Sequence, residues 1–276
     1  MTSLKHLQEL IHLNDKMDEK TCIAFSGGVD SSLLTRLVYS QNFFLSLISV
    51  YFGECNELEY TKRAAEIIGG NLHSIDVLPE ELEKGLTHTL QTIEYDRIAL
   101  LENAVGFYFI FKHAKSNGFN AVLSAHGVDE LYCGYDVFRR KYHEMDLNML
   151  IVELTETAKQ DKIMIDKVAK LFDVTYHFPF LENDFIEFSK KVPLDQKIVD
   201  ENDELRKHYI REQAINLGVP LVIANHEKKS FQYSSGLHRA IRLLARKNGY
   251  TNKKGKSLGF ESGVKAYIMN LKNEIG

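Results

Sequence analysis

A short apolar run, Thr21-Cys-Ile-Ala-Phe25, stops abruptly at Ser26-Gly27-Gly28-Val29-Asp30-Ser31-Ser32. No other stretch restricts this chain so strongly. The run reads as a buried β-strand, and Val29 to Tyr39 reads as a helix, so the heptad joins a strand to a helix start. Backbone N–H groups at a helix start lack intrahelical partners, and the helix dipole favours an anion there. The two glycines allow a ligand close to the backbone. Ser26, Ser31 and Ser32 add hydroxyls. Asp30 would repel phosphate unless a cation lay between them, which calls for Mg²⁺. The heptad lacks the lysine of a GxxxxGK[ST] loop.

The remaining pattern of the first half agrees with such a loop. Leu4 to Leu13 reads as a helix, Phe43 to Phe52 as a strand, and Glu57 to Ile68 as a helix closed by Gly69-Gly70. Asn71 to Val77 reads as a strand, Ala99 to Lys115 as a long helix and Ala121 to Ser124 as a fourth strand. Alternating strands and helices predict a mostly parallel, helix-covered sheet. Beyond Lys141 the pattern turns helical, over Asp146 to Leu171, Phe185 to Lys190, Asp203 to Leu217 and Gly236 to Lys247. The expected division is a nucleotide-binding α/β core over 1–140 and a mostly helical part over 141–276, together completing one continuous domain. The basic segment Arg246 to Lys256 reads as a mobile surface loop.

Composition excludes several classes. A net charge of -4 gives no general attraction to nucleic acid. No apolar run reaches the roughly 18 residues of a membrane span, and the polar N-terminus is no signal peptide. Cys22, Cys55 and Cys133 have neither CxxC nor metal-ligand spacing. A reduced, cytoplasmic protein is expected.

The heptad resembles the SGGxDSS signature of the PP-loop ATP pyrophosphatases. Members of that superfamily, with its adenine nucleotide alpha hydrolase-like fold, hold the terminal pyrophosphate of ATP and cleave between the α and β phosphates. Leu123-Ser-Ala-His-Gly-Val-Asp-Glu-Leu-Tyr-Cys-Gly-Tyr135 resembles the asparagine-synthetase segment LSGEGSDELFGGY. Phe178-Pro-Phe-Leu-Glu182 resembles that family's VPFLD, and Leu205-Arg-Lys-His-Tyr-Ile-Arg-Glu212 its KxxLRE helix. Lys228-Lys-Ser-Phe-Gln-Tyr-Ser-Ser-Gly236 resembles its RxKxxF segment. The likeness runs from about Thr21 to about Ala245.

The resemblance implies ATP and Mg²⁺. By position, Asp30 and Asp129 would hold the metal between them. Lys228, or Lys229 if the register is shifted by one, would meet the α or β phosphate and neutralise charge as pyrophosphate leaves. Val50 to Phe52 would line the adenine pocket through backbone groups, with Ala125 in the same nucleotide-binding set.

Departures from the family bear on the acceptor. His126 stands where asparagine synthetases have a glutamate and the related β-lactam synthetases a tyrosine that works with a glutamate. It is either a general base, its unperturbed pKa lying near neutrality, or a hydrogen-bonding group of the loop. Asp166 falls one residue from the position of that dyad's glutamate, so it is a candidate to orient His126. Glu102 and His177 stand where the family has arginines, which argues against a pocket built for aspartate. Glu102 either binds a substrate ammonium or guanidinium or is a solvated helix residue.

No glutaminase segment with its catalytic cysteine precedes the heptad; residue 2 is Thr2. The expected activity is therefore an amide-forming ligase that adenylates a small carboxylate and passes it to free ammonia, an amine, or ammonia from a separate amidotransferase subunit. The alternatives are a tRNA- or nucleotide-modifying enzyme that adenylates a base carbonyl, and a non-catalytic nucleotide-binding subunit. The oligomeric state, a homodimer included, is left open.

Overall fold

A computed structural model describes residues 20–55, 57–227 and 231–275. Five parallel strands form its sheet: β1 (Thr21–Ala24), β2 (Ser46–Tyr51), β3 (Leu72–Asp76), β4 (Ala121–Leu123) and β5 (Thr175–His177), in the order β3-β2-β1-β4-β5. Helices α1 (Val29–Tyr39), α2 (Glu57–Ile67), α3 (Pro79–Thr92) and α4 (Ile98–Ser116) alternate with the first four strands. Then come α5 (Val128–Leu131), α6 (Asp136–Arg140), α7 (Leu147–Lys170), α8 (Asn183–Lys190), α9 (His208–Asn216), α10 (Leu221–Ala224), α11 (Phe231–Ser234), α12 (Leu237–Lys247), α13 (Asn252–Ser257) and α14 (Gly263–Ile275). The expected class, a parallel α/β sheet followed by a mostly helical half, is the one observed.

Strand periodicity explains the layering. Successive strand residues face opposite sides of a sheet. Ile23, Leu47 and Leu123 enter one core with Leu33, Leu37 and Phe180. Their neighbours Cys22, Ile48 and Val122 enter a second core, with Leu101 and Val105 of α4. Both faces are covered, as parallel sheets require. The strand order reverses between β1 and β4, and in open α/β sheets that is where loops at the strand C-termini part to leave a crevice.

Several expectations are corrected. The helix expected from Asp203 begins only at His208. Arg206 and Lys207 before it are left-handed, with φ of 48° and 56°, and Asp203 Oδ1 accepts from the Leu205 and Arg206 N–H groups. The Arg246–Lys256 segment is no simple loop, because it holds the end of α12 and most of α13. Gly255 of α13 lies against the backbone of Ser262 and Gly263, too close for any side chain, while Tyr267 and Ile268 of α14 are buried in the second core. The sequence reading has no counterpart for α3 or β5. The helix expected over Leu4–Leu13 lies outside the described residues.

Candidate active site

The Ser26 loop leaves the end of β1 at the sheet's reversal point. Gly27 has φ of +77°, which favours glycine, and a Cβ there would lie a tight 3.1 Å from Thr61 Cα. Ser26 and Ser31 hydroxyls lie 3.2 Å apart, Ser31 Oγ donates to Gly28 O at 3.2 Å, and Thr61 Oγ1 donates to Ser26 O at 3.1 Å. These bonds fix the loop, and no side chain caps the first turn of α1. Its leading N–H groups thus lack an intrahelical partner, and Gly28, Val29 and Asp30 line the crevice.

Two cavities open there, of about 330 Å³ and about 140 Å³. They adjoin along Ser26, Asp30, His126, Asp129 and Glu130, which line both. The smaller runs along β2 past Ser49 and Val50 and reaches Ala125. Phe52, expected on that wall, is not part of it: its N–H is donated to Ser235 O at 2.9 Å. Arg97, Asn103, Thr157 and Asp161 line the larger cavity and not the smaller.

On the wall of the larger cavity, against the two shared aspartates, lies a residue that the sequence reading missed. Lys207 Nζ is 2.5 Å from Asp30 Oδ2 and 2.7 Å from Asp129 Oδ1, and its side chain is 1% exposed. Burial alone would lower its pKa, but the two carboxylates overcome that and hold it above the usual lysine value. Three features deliver the ammonium. Lys207 N–H donates to Lys197 O at 2.6 Å, its backbone is left-handed, and its stem passes Gly134, where a Cβ would collide with Asp129 Oδ1 and Lys207 Cε. Its signal in the sequence was the lysine four residues before Arg211 in the KxxLRE-like segment. Arg211, also on the cleft, directs its donors to the carbonyls of Leu205, Arg206 and Ala224.

Whether this site suits Mg²⁺ turns on its donors. Among the described residues, no cluster of three or more His, Cys, Asp or Glu side chains could hold a metal by itself. Two converging carboxylates do fit Mg²⁺, which commonly takes one or two protein carboxylates and completes its shell with water and substrate phosphates. The fit is therefore to a metal–nucleotide pair.

His126 Nδ1 lies 2.9 Å from both Ser124 Oγ and Tyr176 OH. Asp166 pairs with Lys162 at 3.7 Å, and its charge also acts on the Tyr176 phenol, whose pKa burial pushes well up. Tyr176 and Ser124 thus join His126 directly, whereas Asp166 makes its ion pair with Lys162 and reaches this group only through its charge on Tyr176, not through the direct pairing with His126 that was expected. Glu102 is corrected: it is not solvated but 3% exposed, and it meets His238 Nδ1 at 2.7 Å. Burial raises its pKa, against the pull of His238. Its neighbour Asn103 lines the cleft instead. His177 closes β5, and its carbonyl accepts from Ser124 N at 3.0 Å. Arg97 and Asp161 form an ion pair on the larger cavity's wall, and burial raises the Asp161 pKa. Lys228 and Lys229 lie outside the described residues.

Cys133, next to the loop, has its thiol pushed up to about 12 by burial. Among the described residues no helix is long and apolar enough to cross a membrane.

The asparagine synthase family model matches residues 5–152 and 147–260. The chain is 26% identical over 273 residues to the putative asparagine synthetase 1 (glutamine-hydrolyzing) of Methanocaldococcus jannaschii, covering 86% of this chain and 49% of that protein. It is 22% identical over 234 residues to the glutamine-hydrolyzing asparagine synthetase B of Escherichia coli K12, covering 78% of this chain and 41% of that protein. The chain therefore spans about half the length of these relatives, or less. A solved NMN synthetase from Francisella tularensis is similar at 13% identity and a TM-score of 0.46, over 99% of this chain and 94% of that one.

Proposed function

The chain belongs to the asparagine synthase family, and from that premise we propose that it is an ATP-dependent, AMP-forming amide ligase. In this reading ATP lies across the two cavities. Its adenosine occupies the smaller one, beside Val50 and Ala125, and its phosphates lie on the Ser26 loop. A small carboxylate enters the larger cavity. One carboxylate oxygen attacks the α-phosphorus, the bond from that phosphorus to the bridging oxygen breaks, and pyrophosphate leaves. An amine or ammonia then attacks the acyl carbon, and AMP leaves with the former carboxylate oxygen.

The observation that carries this reading is the convergence of Asp30, Asp129 and Lys207 where the cavities adjoin. A buried ammonium held by two carboxylates is preorganised for charge that builds up on phosphate oxygens. The two aspartates would hold Mg²⁺, which supplies Lewis-acid stabilisation of the departing pyrophosphate. Lys228, or Lys229, would meet the α or β phosphate. His126 would take the proton of the attacking amine. Tyr176 and Ser124 would set its ring orientation, and Asp166 would act through Tyr176. Arg97, Asn103 and Asp161 would face the acceptor. The division into a nucleotide-binding part over 1–140 and a completing part over 141–276 is kept as a proposal; β5, at the sheet edge, comes from the later part.

A thiol-dependent tRNA- or nucleotide-modifying reading has Cys133 as its motif-adjacent candidate. Burial at a pKa of about 12 leaves almost no thiolate there near neutral pH. A panel of small carboxylates in an ATP–pyrophosphate exchange assay, with tRNA in parallel, tests the proposal. Exchange that depends on a carboxylate is expected. Exchange that depends on tRNA and on none of the carboxylates would contradict it.

A further inference from the structure

Lys207 stands at the point where the family resemblance places a metal. Its ammonium touches both Asp30 and Asp129, at 2.5 Å and 2.7 Å. Nothing in this arrangement is loosely held. The Lys207 N–H is tied to Lys197 O. Arg206 beside it donates from Nε to Gly134 O at 3.3 Å, and Gly134 leaves no room for the lysine stem to shift towards that strand of chain. Two half-buried carboxylates, each side chain 20% exposed, are disfavoured side by side without a cation, since like charges in a partly desolvated site repel. The lysine removes that penalty.

It also has a second consequence. A divalent cation placed between the same two oxygens would lie within a few ångströms of the ammonium, and the repulsion between them grows as the local dielectric falls. A free metal ion offers the ammonium no new partner. A polyphosphate does, because its oxygens accept charge-assisted hydrogen bonds. We propose that Lys207 acts as a resident cation for the Asp30–Asp129 pair, so that the pair takes up a divalent metal only together with a polyphosphate able to accept the displaced ammonium. Lys207 is then a positioning residue, whose effect is to make metal and nucleotide binding mutually dependent. The inference rests on the reading above in which Asp30 and Asp129 are the metal carboxylates.

Mn²⁺ serves as the probe, followed by water-proton relaxation enhancement, which separates protein-bound Mn²⁺ from the free and nucleotide-bound ion. The full chain is titrated with Mn²⁺ alone and with Mn²⁺ plus an ATP analogue carrying a methylene between the α and β phosphates. The wild-type protein should show an Asp30-dependent enhancement only with the analogue. Lys207→Met, which keeps the apolar stem, should bind Mn²⁺ alone at least about tenfold more tightly than wild type. Asp30→Asn added to that variant should abolish the gain. Wild-type protein that binds Mn²⁺ alone as tightly as with the analogue, in an Asp30-dependent manner, would overturn the inference while leaving the metal assignment standing. So would a folded Lys207→Met protein with no gain. If the enhancement with the analogue is absent, or survives Asp30→Asn, the metal assignment fails and the inference with it. The wild-type comparison decides the matter even if Lys207→Met does not fold.

Discussion

Lys207 donates from Nζ to Asp30 Oδ2 at 2.5 Å, joining residues that are 177 positions apart in the chain. Asp30 is in the first turn of α1, and Lys207 immediately precedes α9. The contact ties the Ser26 loop of the first half to the helical second half, and it places charge of both signs in the crevice.

Gly134→Ala tests how tightly that contact is packed. A Cβ at residue 134 would meet Asp129 and the Lys207 stem, and both are pinned by their ion pair. The expected outcome is a loss of about 1–3 kcal/mol in stability, typical of overpacking, together with weaker ATP binding. Urea denaturation and calorimetric titration with ATP measure the two. Unchanged values of both would contradict the tight packing of Gly134 against Asp129 and Lys207.

Cys133 should be chemically inert. With its thiol pushed up to about 12 and its side chain fully buried, iodoacetamide near neutral pH should leave it unmodified in the folded protein, and Cys133→Ser should retain turnover. Peptide mass spectrometry after labelling checks the first and a pyrophosphate-release assay the second.

Lys197 gives a pH dependence with a definite sign. Burial lowers its pKa from 10.5 to about 8 in the folded protein. Between those values the unfolded chain holds more protons than the folded one, so stability rises with pH across that window. Below about pH 8 the cost of burying the ammonium is fully present, and it amounts to roughly 3 kcal/mol at the upper limit. Lys197→Met should remove this contribution and stabilise the protein at pH 7. The wild-type minus variant difference in urea-unfolding free energy, followed from pH 7 to above 10, should shrink. A difference that widens with rising pH would contradict the assignment.

His126 and Tyr176 separate the two chemical stages. His126→Ala should spare carboxylate-dependent pyrophosphate exchange, because adenylation precedes base catalysis, and should abolish amide formation. Tyr176→Phe removes one of the two Nδ1 partners, so it should weaken amide formation and shift its pH profile with little effect on exchange. Asp166→Asn should act in the same direction and more weakly. An unchanged rate of amide formation in His126→Ala would remove the histidine from the mechanism.

Much of this fold was legible because its signals are local. The apolar runs ending at Phe25 and Ser124 and the glycine loop at Gly27-Gly28 mark strands and turns without reference to distant residues. Helix α3 carries a local signal of its own: Pro79 at its first position, two acids in its first turn, and Leu82, Leu86 and Leu90 on one face. Strand β5 is three residues long and depends on pairing with β4, so periodicity could not reveal it. Ser26 to Ser32 were legible for the same local reason and Asp129 only through the family resemblance; Ser26, Asp30 and Asp129 all line the crevice. Lys207 was not, because its left-handed backbone and its two carboxylate partners arise from packing between segments. Glu102 reads either as a ligand for a substrate cation or as a solvated helix residue until His238, far along the chain, is brought against it.

The central claim is that ATP is cut between its α and β phosphates at the Ser26 loop. Its most direct measurement is the identity of the products formed from ATP under saturating carboxylate, amine and Mg²⁺, read by phosphorus NMR. The account predicts AMP and pyrophosphate in equal amounts, with formation abolished by Asp30→Asn and by Asp129→Asn while the fold is kept. Accumulation of ADP and orthophosphate, or normal turnover in either aspartate variant, would contradict it.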